Sequence, residues 1–295
     1  MTDDSSVRFA CGHAAGDGRA GILACGEMQL GSRATLAGAL KEFGIAGARN
    51  GSVLLAPGEY QLHQIEAPEV PDAEIKAAAK WKIKDVIGFP IEDASFDLLK
   101  VPGPGSAATP WHSMLAVVAR RGLLKQRISQ FRDARFDLSV IDVPETAQRN
   151  IATLYESDGM GVAWLYIDDT GGLMTISAGG ELYLARRIDV RCSDIETAQG
   201  ELREELFSRI VLDLQRTIDN FERQFSFVTL TKLVVGPEPE DSGLVSHLSA
   251  NLAVAVQAAE LEEVIGFAGG APDRREQWRM FHLIGCALRA EAAAL

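Results

Sequence analysis

At 295 residues, 47% of them hydrophobic, the chain is long enough for two domains or one large divided domain around a substantial core. The formal net charge of −12 argues against a nucleic-acid-binding protein and against adsorption to an anionic membrane, because both need a basic face. The four cysteines lack Cys-x-x-Cys spacing, which favours reduced thiols over a disulfide framework or a zinc site. The acidic start does not resemble a signal peptide and no segment approaches the roughly 20 apolar residues that span a bilayer, so we expect a soluble cytoplasmic chain.

The first half of the chain predicts strands before and between helices. Strands are expected at residues 7–11, 21–26, 53–56, 60–65, 94–101, 113–119 and 138–143, and the third should extend the sheet of the first two. Helices are expected at residues 33–43, 123–131 and 145–155. A further helix begins at Asp72, which can cap it, and ends at Gly88 and Pro90. Its apolar stripe runs from Ile75 to Val86, so residues 53–90 form one compact strand, strand and helix unit.

The second half predicts a meander followed by alternating helices and strands. The meander strands are expected at residues 162–168, 173–177 and 182–188, with glycine pairs between them. A long helix with an apolar face from Phe207 to Phe225 follows, then a strand at 227–235 and helices at 244–252 and 276–294. Since both halves begin with successive strands and continue with alternating elements, we predict a duplicated α/β lobe that the unit at 53–90 interrupts.

Two short motifs suggest enzymes that their surroundings do not favour. Gly16, Gly18 and Gly21 match the dinucleotide fingerprint of a Rossmann oxidoreductase, but a strand-like segment follows them where a helix is needed, so a hairpin turn is favoured. Asp169-Thr170-Gly171 and Asp241-Ser242-Gly243 imitate the paired aspartates of aspartic proteases, but the long helices contradict an all-β protease. The five histidines have no spacing suited to a metal site, so none is predicted.

Asp168 leaves a third enzymatic interpretation open. It ends a predicted strand and is followed by Gly171 and Gly172. Two-lobed nucleotide-binding proteins place a metal-binding acid at such a point and bind phosphates with glycine-rich turns. An ATPase or small-molecule kinase is therefore the alternative function, although plain hairpins carry the same pattern.

Several segments also carry a family resemblance. The most specific is 53–90, with Pro57-Gly58 between its strands, Trp81 in its helix and the exit Ile87-Gly88-Phe89-Pro90. Others are Leu-Ala-Val-Val-Ala-Arg from residue 115, Val-Ile-Asp-Val-Pro-Glu from residue 140 and Ile-Gly-Cys-Ala-Leu-Arg from residue 284. On these, nearly the whole chain resembles the PilM family of type IV pilus assembly proteins, which have the actin-like fold of the cell-division protein FtsA. Within that family it is most similar to the MshI branch of the mannose-sensitive haemagglutinin (MSHA) pilus.

The resemblance implies an α/β, actin-like fold of two lobes, which are duplicated RNase H-like domains with a small inserted subdomain. The implied boundaries are 1–56 and 137–158 for the first lobe, 57–136 for the insertion, 159–278 for the second lobe and 279–295 for a C-terminal helix. The implied function is that of a cytoplasmic scaffold in type IV (MSHA-like) pilus or type II secretion assembly. The implied partner is the cytoplasmic N-terminal tail of a bitopic inner-membrane protein, which would recruit the chain to the membrane. No nucleic acid and no membrane insertion are expected, and self-association is left open.

The same resemblance predicts a degenerate nucleotide site at Gly12, Asp168, Gly171, Gly172 and Gly236. The first phosphate loop is Phe-Ala-Cys-Gly at residues 9–12, with alanine where the family has aspartate. The second is shortened, and the third, from residue 235, has become the acidic Val-Gly-Pro-Glu-Pro-Glu. The resemblance thus implies a pseudo-ATPase without catalytic residues or a metal site, in which binding of ATP and Mg²⁺ is lost or nearly lost.

Overall fold

The computed structural model describes residues 6–14, 20–29, 36–42, 44, 51–104 and 111–289. They divide into two compact units: the first unit consists mainly of Met28–Val143, and the second of Arg8–Glu27 with Pro144–Ala294. The lobe and subdomain boundaries given above stay predictions. Among the residues so described, no helix combines the length and hydrophobicity that a bilayer crossing requires.

The elements alternate along the chain much as the sequence pattern predicts. The strands are β1 (Ser6–Ala14), β2 (Ala20–Gln29), β3 (Gly51–Leu54), β4 (Tyr60–Glu66), β5 (Ala94–Pro102), β6 (Trp111–Arg120), β7 (Leu138–Asp142), β8 (Met160–Asp168), β9 (Gly171–Ala178), β10 (Glu181–Ile188), β11 (Thr229–Val235), β12 (Ala255–Ala258) and β13 (Gly266–Phe267). The helices are α1 (Leu36–Glu42), α2 (Asp72–Lys84), α3 (Arg121–Asp133), α4 (Pro144–Ala152), α5 (Cys192–Thr197), α6 (Glu201–Gln224), α7 (Leu244–Asn251), α8 (Leu261–Val264) and α9 (Arg274–Ala287).

The second unit is built on a five-stranded sheet in the order β10-β9-β8-β11-β12. β8, β9 and β10 form the predicted antiparallel meander, and β11 lies parallel to both β8 and β12. Alternate residues of β8 point to opposite faces of the sheet. Trp164 and Tyr166 pack in a core with α9 residues such as Phe281, whereas Leu165 and Ile167 line a cavity on the other face. Covered faces on both sides explain why β8 is almost continuously apolar.

The first unit contains a separate three-stranded antiparallel sheet, β4-β6-β5. The central strand β6 turns Met114, Ala116 and Val118 towards the buried side of α2, which supplies Ile75, Ala79 and Ile83. This is the helical stripe predicted from the sequence. The opposite side of β6 presents Ala119, which packs with Leu55 and Val143 next to the parallel pair β3 and β7. The inserted sheet is therefore covered by α2 on one face. On its other face, the rest of the unit packs against one end of the sheet.

Three predictions of detail are wrong. Among the described residues, the strand at 53–56 does not extend the sheet of the first two, because that sheet has the order β1-β2-β13 and β3 pairs with β7 in a separate one. Asp72 does not cap α2, since the N-cap is Pro71 and the Asp72 carboxylate lies 3.2 Å from the ammonium of Lys100. Val86 is 47% exposed, because α2 ends at Lys84, before that position reaches the buried stripe.

Other differences concern element ends and short elements. The 227–235 strand begins two residues later than predicted, at Thr229, and the last helix ends at Ala287. Short elements such as α5 and β12 were not predicted, because four to six residues carry too little periodicity to be recognised. The predicted helix at 33–43 lies partly outside the described residues, and Gly16 and Gly18 lie entirely outside them.

Candidate functional site

The predicted second phosphate loop is a tight hairpin between β8 and β9. Asp168 pairs with Gly171, so only Asp169 and Thr170 form the turn. One carboxylate oxygen of Asp168, Oδ1, accepts the backbone N–H of Thr170 at 2.7 Å and its hydroxyl at 2.5 Å. Within the turn, the backbone amide and the aspartate oxygen are therefore hydrogen-bonded to each other. A phosphate would have to compete with that bond.

The two glycines after this turn have packing reasons of their own. Gly171 has a backbone φ of +132°, in the region that favours glycine. A Cβ at Gly172 would lie 3.1 Å from Cβ of Ile188 and 3.3 Å from a methyl of Val190. The close approach of the chain after β10 thus explains Gly172, and the hairpin geometry explains Gly171, without a ligand.

Gly236 follows β11 at the same edge of the sheet. Its φ is +98°, and a Cβ there would lie 2.8 Å from the backbone nitrogen of Glu238. Its N–H donates to the carbonyl of Leu165 at 2.8 Å, and its carbonyl accepts the indole N–H of Trp164 at 2.7 Å. Both backbone polar groups of Gly236 are therefore used inside the unit.

Gly12 lies on β1, in the sheet with β2 and β13. A Cβ at this position would lie 2.3 Å from the carbonyl oxygen of Ala287 in α9, so close packing requires glycine. Ala10, which stands where the family has aspartate, packs against the core of the second unit. The structure thus brings Asp168, Gly171 and Gly172 together at one turn and Gly236 to the neighbouring strand end, whereas Gly12 belongs to a different sheet.

A cavity of about 430 Å³ opens beside Gly236 at the carboxyl ends of β8 and β11. Its apolar wall is formed by side chains of these strands and of α5 and α7, among them Leu165, Ile167, Val235 and Leu244. Four carboxylates and two guanidinium groups complete the lining: Glu196, Glu238, Glu240, Asp241, Arg203 and Arg275. An apolar pocket with a few convergent polar groups is the usual form of a small-ligand site.

Acidic groups dominate the potential around this cavity. The thiol of Cys192, in its lining, has its pKa raised to about 12, first by burial and then by nearby carboxylates. Those carboxylates are Glu196, Asp169, Glu238 and Asp168. Each of them disfavours formation of another negative charge, so the cavity resists anions.

Glu238 is a half-buried acid of this lining, and the pKa of its carboxyl is shifted. Burial raises the pKa of its carboxyl and Asp241 raises it further, whereas a hydrogen bond from the Ser242 hydroxyl and the charges of Arg274 and Arg203 lower it. The net effect is a raised pKa. The charges of the arginines therefore do not compensate fully for the burial of this carboxyl.

Sequence reasoning found the acidic segment at 235–240 but missed the contribution of α5. Glu196 and Cys192 reach the cavity from this six-residue helix. The signal that could have found it is Asp194, whose carboxylate accepts the backbone N–H of Arg191 at 2.9 Å, as an acid does at the third position of a helix. Among the described residues, no group of three or more His, Cys, Asp or Glu side chains is arranged to hold a metal ion.

Large apolar side chains are exposed on the inserted sheet and its helix. Trp81 of α2 is 71% exposed, and Phe89 is half-buried with the guanidinium of Arg120 4.2 Å from its ring centre. On the sheet face away from α2, the strand register places Leu62 opposite Val117, and Leu99 opposite Leu115, on the same side as Ala119. We call the half-buried residues Leu62, Val117 and Leu99 the junction face, because Val117 also packs on the cluster that joins this sheet to β7.

Comparison with known proteins identifies the architecture. No protein-family model and no curated protein matches the chain. Among solved structures it is similar to the PilM–PilN type IV pilus biogenesis complex, at 18% identity and a TM-score of 0.67, with 96% of this chain and 94% of that chain covered. The chain has the actin-like fold of PilM. The predicted α/β, two-lobed fold class is therefore confirmed.

Two further solved structures show weaker likeness. One is the cytoplasmic domain of EpsL, an inner-membrane component of the type II secretion system of Vibrio cholerae, at 14% identity, a TM-score of 0.49 and coverage of 96% and 92%. The other is a Bacteroides thetaiotaomicron protein of actin-like ATPase fold and unknown function, at 10% identity, a TM-score of 0.43 and coverage of 90% and 96%. Because both scores lie below 0.5, neither of these two likenesses supports an argument, and the PilM similarity, at 18% identity, concerns the fold.

The actin-like fold implies Mg²⁺-ATP as a cofactor, and the described residues are a poor fit to it. A triphosphate needs available backbone amides and low negative charge around it. The amide of Thr170 and both backbone groups of Gly236 are bonded within the chain. The cavity next to them carries four carboxylates. We therefore assign no step to a nucleotide.

Proposed function

We propose that this chain is an actin-like scaffold in the assembly of a type IV pilus of the MSHA kind, or of a type II secretion machine. It binds the cytoplasmic N-terminal tail of a bitopic inner-membrane partner and works through contacts, without hydrolysing ATP. The observation that carries the proposal is the similarity over 96% of the chain to PilM in a complex with PilN. The sequence resemblance to the same family, which rests on separate segments, points the same way.

The junction face gives the proposed tail a place to bind. Leu62, Val117 and Leu99 are apolar and half-buried on one side of a three-stranded sheet. β4 and β5 are the two edges of that sheet, so an extended segment can add main-chain hydrogen bonds at an edge while its alternate side chains enter apolar gaps. Such a mode needs no catalytic residue.

Charge favours the same kind of partner. Cytoplasmic segments next to a membrane-spanning helix are enriched in lysine and arginine. The chain carries a formal charge of −12, so a basic tail is attracted before it docks. The attraction accelerates association, whereas the junction face would supply specificity.

A peptide-binding experiment tests the proposal. The probe is a labelled peptide with the cytoplasmic N-terminal tail sequence of a bitopic inner-membrane protein from the same pilus or secretion assembly, and fluorescence anisotropy gives the Kd. A scrambled peptide of equal charge is the control, because an acidic protein attracts any basic peptide. We expect the native sequence to bind at least tenfold more tightly than the scrambled one at about 150 mM salt, where electrostatic attraction is screened within about 8 Å.

Two variants then locate the binding surface. Leu62→Asp places a charge on the junction face, and we expect it to weaken the peptide by at least tenfold. Trp81→Ser removes the largest exposed side chain on the α2 side of the same sheet and should leave the affinity unchanged. Equal binding of native and scrambled peptides would refute tail recognition, and a loss with Trp81→Ser alone would move the contact to α2.

A further inference from the structure

The cavity of the second unit has a shape and a lining that the proposed scaffold function does not use. It measures about 430 Å³, enough for a small molecule or one long side chain. Leu165, Ile167 and Val235, all buried in the sheet, form one wall, and Pro237 and Pro239 form another. These surfaces can cover an aliphatic stem but cannot form hydrogen bonds to it.

The polar side of the cavity has an excess of negative charge. Glu196, Glu238, Glu240 and Asp241 outnumber the two arginines in the lining. Arg203 lies with its guanidinium 5.3 Å from the ring centre of Phe207, so part of its charge is already engaged. An added cation would offset the remaining excess, chiefly at Glu238, which is half-buried beside the apolar walls. The other three carboxylates are exposed, so water screens them more.

An anionic ligand does not fit the same place. The backbone groups of Gly236, which line the cavity, are bonded to Leu165 and Trp164. The pKa of the Cys192 thiol in the lining is raised first by burial and then by the charges of nearby carboxylates. Both observations disfavour a phosphate or a carboxylate and leave a cation on an apolar stem as the complementary chemistry.

We propose that the cavity between α5, α7 and the segment 235–242 binds an alkylguanidinium group, with its head at Glu238 and Asp241 and its stem on Leu165, Ile167 and Val235. A guanidinium suits the site better than an ammonium because it is planar, more weakly hydrated and able to bind carboxylates through two parallel hydrogen bonds. The proposal does not depend on tail binding. A free small molecule and an arginine side chain of a protein share this chemistry.

The test is calorimetric titration of the full chain with agmatine, which carries a guanidinium and a terminal ammonium on a four-carbon stem. N-(4-aminobutyl)urea, which keeps the stem and the ammonium but has a neutral urea in place of the guanidinium, is the control ligand. We expect agmatine to bind at millimolar or lower Kd and N-(4-aminobutyl)urea to bind at least tenfold more weakly. N-acetylarginine methylamide is titrated in parallel: tighter binding than agmatine indicates an arginine side chain as the natural occupant, and weaker binding indicates a free alkylguanidinium.

Two variants tie the binding to the cavity. Glu238→Gln and Glu196→Gln each remove one lining charge with little change of shape, and each should weaken agmatine at least fivefold. Glu222→Gln, on the exposed part of α6, changes the net charge equally and should have no effect. Equal affinity for agmatine and N-(4-aminobutyl)urea, an unchanged affinity in both lining variants, or Mg²⁺-ATP that binds more tightly than agmatine and displaces it would overturn the proposal.

Discussion

The carboxyl edge of the second unit's sheet and the inserted sheet of the first unit use their residues in opposite ways. At the edge of the second unit, polar groups that could hold a phosphate are bonded to neighbours within the chain, as at Thr170 and Gly236. On the inserted sheet and its helix, apolar side chains are left partly exposed, as at Leu62 of β4, or largely exposed, as at Trp81 of α2. Polar groups that are hydrogen-bonded within the chain need no ligand to satisfy them, whereas exposed apolar surface marks a place that a partner covers. The difference agrees with the proposed function, which needs a contact surface on the first unit and no free phosphate-binding groups on the second.

The largest effect is expected where the second unit is most tightly packed. A Cβ at Gly285 in α9 would lie 2.1 Å from the carbonyl oxygen of Ala147 in α4, so the two helices cross at a distance that only glycine permits. Gly285→Ala should lower the free energy of unfolding by about 3 kcal/mol, at the upper end of overpacking costs. Urea denaturation with two optical probes measures the change.

Gly122 in α3 is the matched control for Gly285. A Cβ at Gly122 meets nothing within 4 Å, and the residue lies in a helix of the first unit. Gly122→Ala should therefore stabilise the chain by about 0.5 kcal/mol, because alanine favours the helix. If both glycine variants had similar effects, the close helix crossing in the second unit would not be the determinant that we infer.

A smaller effect should follow from acidification, through the second unit alone. Burial, and to a smaller extent the charge of Arg187, lower the pKa of His282 to about 3. Below pH 6.5 the unfolded chain binds a proton that the folded chain refuses, so stability is lost as the pH falls from about 6.5 towards 3. His282 as a residue is half-buried, so we expect less than the full ~1.4 kcal/mol per pH unit.

His282→Phe isolates this contribution. The ring lies edge-on to Tyr166 and tilted against Phe281, so phenylalanine keeps the packing while it removes the proton and the 3.3 Å contact with Gln148. The variant should lose about 1 kcal/mol at pH 7 from the missing hydrogen bond, but its stability should fall less steeply between pH 6 and pH 4. Parallel pH profiles for the two proteins would show that His282 does not cause the slope.

In the first unit, the interaction to compare with this histidine is an ion pair between α3 and the residue just before β4 of the inserted sheet. Arg127 bonds to Glu59, whose other carboxylate oxygen accepts the N–H of Ala56 at 2.8 Å. Both side chains are 19% exposed, so the pair is screened much less than a surface pair. Arg127→Met should cost about 1 to 2 kcal/mol, since it leaves an enclosed carboxylate with one partner fewer.

Lys76 provides the exposed counterpart of Arg127. Its ammonium lies 3.3 Å from Asp97, and the two side chains are 65% and 86% exposed. Lys76→Met should change stability by less than about 0.5 kcal/mol, as is usual for such pairs. Thermal melts at low and high salt distinguish the enclosed pair of Arg127 from the exposed pair of Lys76. If the loss of stability in Arg127→Met vanished at high salt, the Arg127 pair would behave as an ordinary surface pair.

The sequence predicts the regular parts of both units better than their ends and loops. The meander of β8, β9 and β10 and the buried stripe Ile75, Ala79 and Ile83 follow from periodicity and glycine turns, which are local signals. The pairing of β2 with β13 joins segments about 245 residues apart, and no local pattern contains that information. For the candidate site, the acidity of residues 235–240 was visible, but the apolar walls of the cavity depend on which strands become neighbours.

The smallest expected effect concerns Glu238, and it sharpens the difference between an anion site and a cation site. Because burial raises the pKa of this carboxyl in the folded chain, the native state holds a proton that the unfolded state releases as the pH rises. Stability is therefore lost as the pH rises from about 4.5, the ordinary value, through the raised folded value. The side chain of Glu238→Gln does not titrate. The free energy of unfolding of this variant should therefore equal that of the native chain at lower pH and exceed it slightly at pH 7, as measured by urea denaturation across that range.

A cation in the cavity, such as agmatine, should favour the charged carboxylate of Glu238 and so reduce the stability advantage of the variant at pH 7. If agmatine instead left the difference between the two proteins unchanged, the carboxylate would not be the group that meets the ligand.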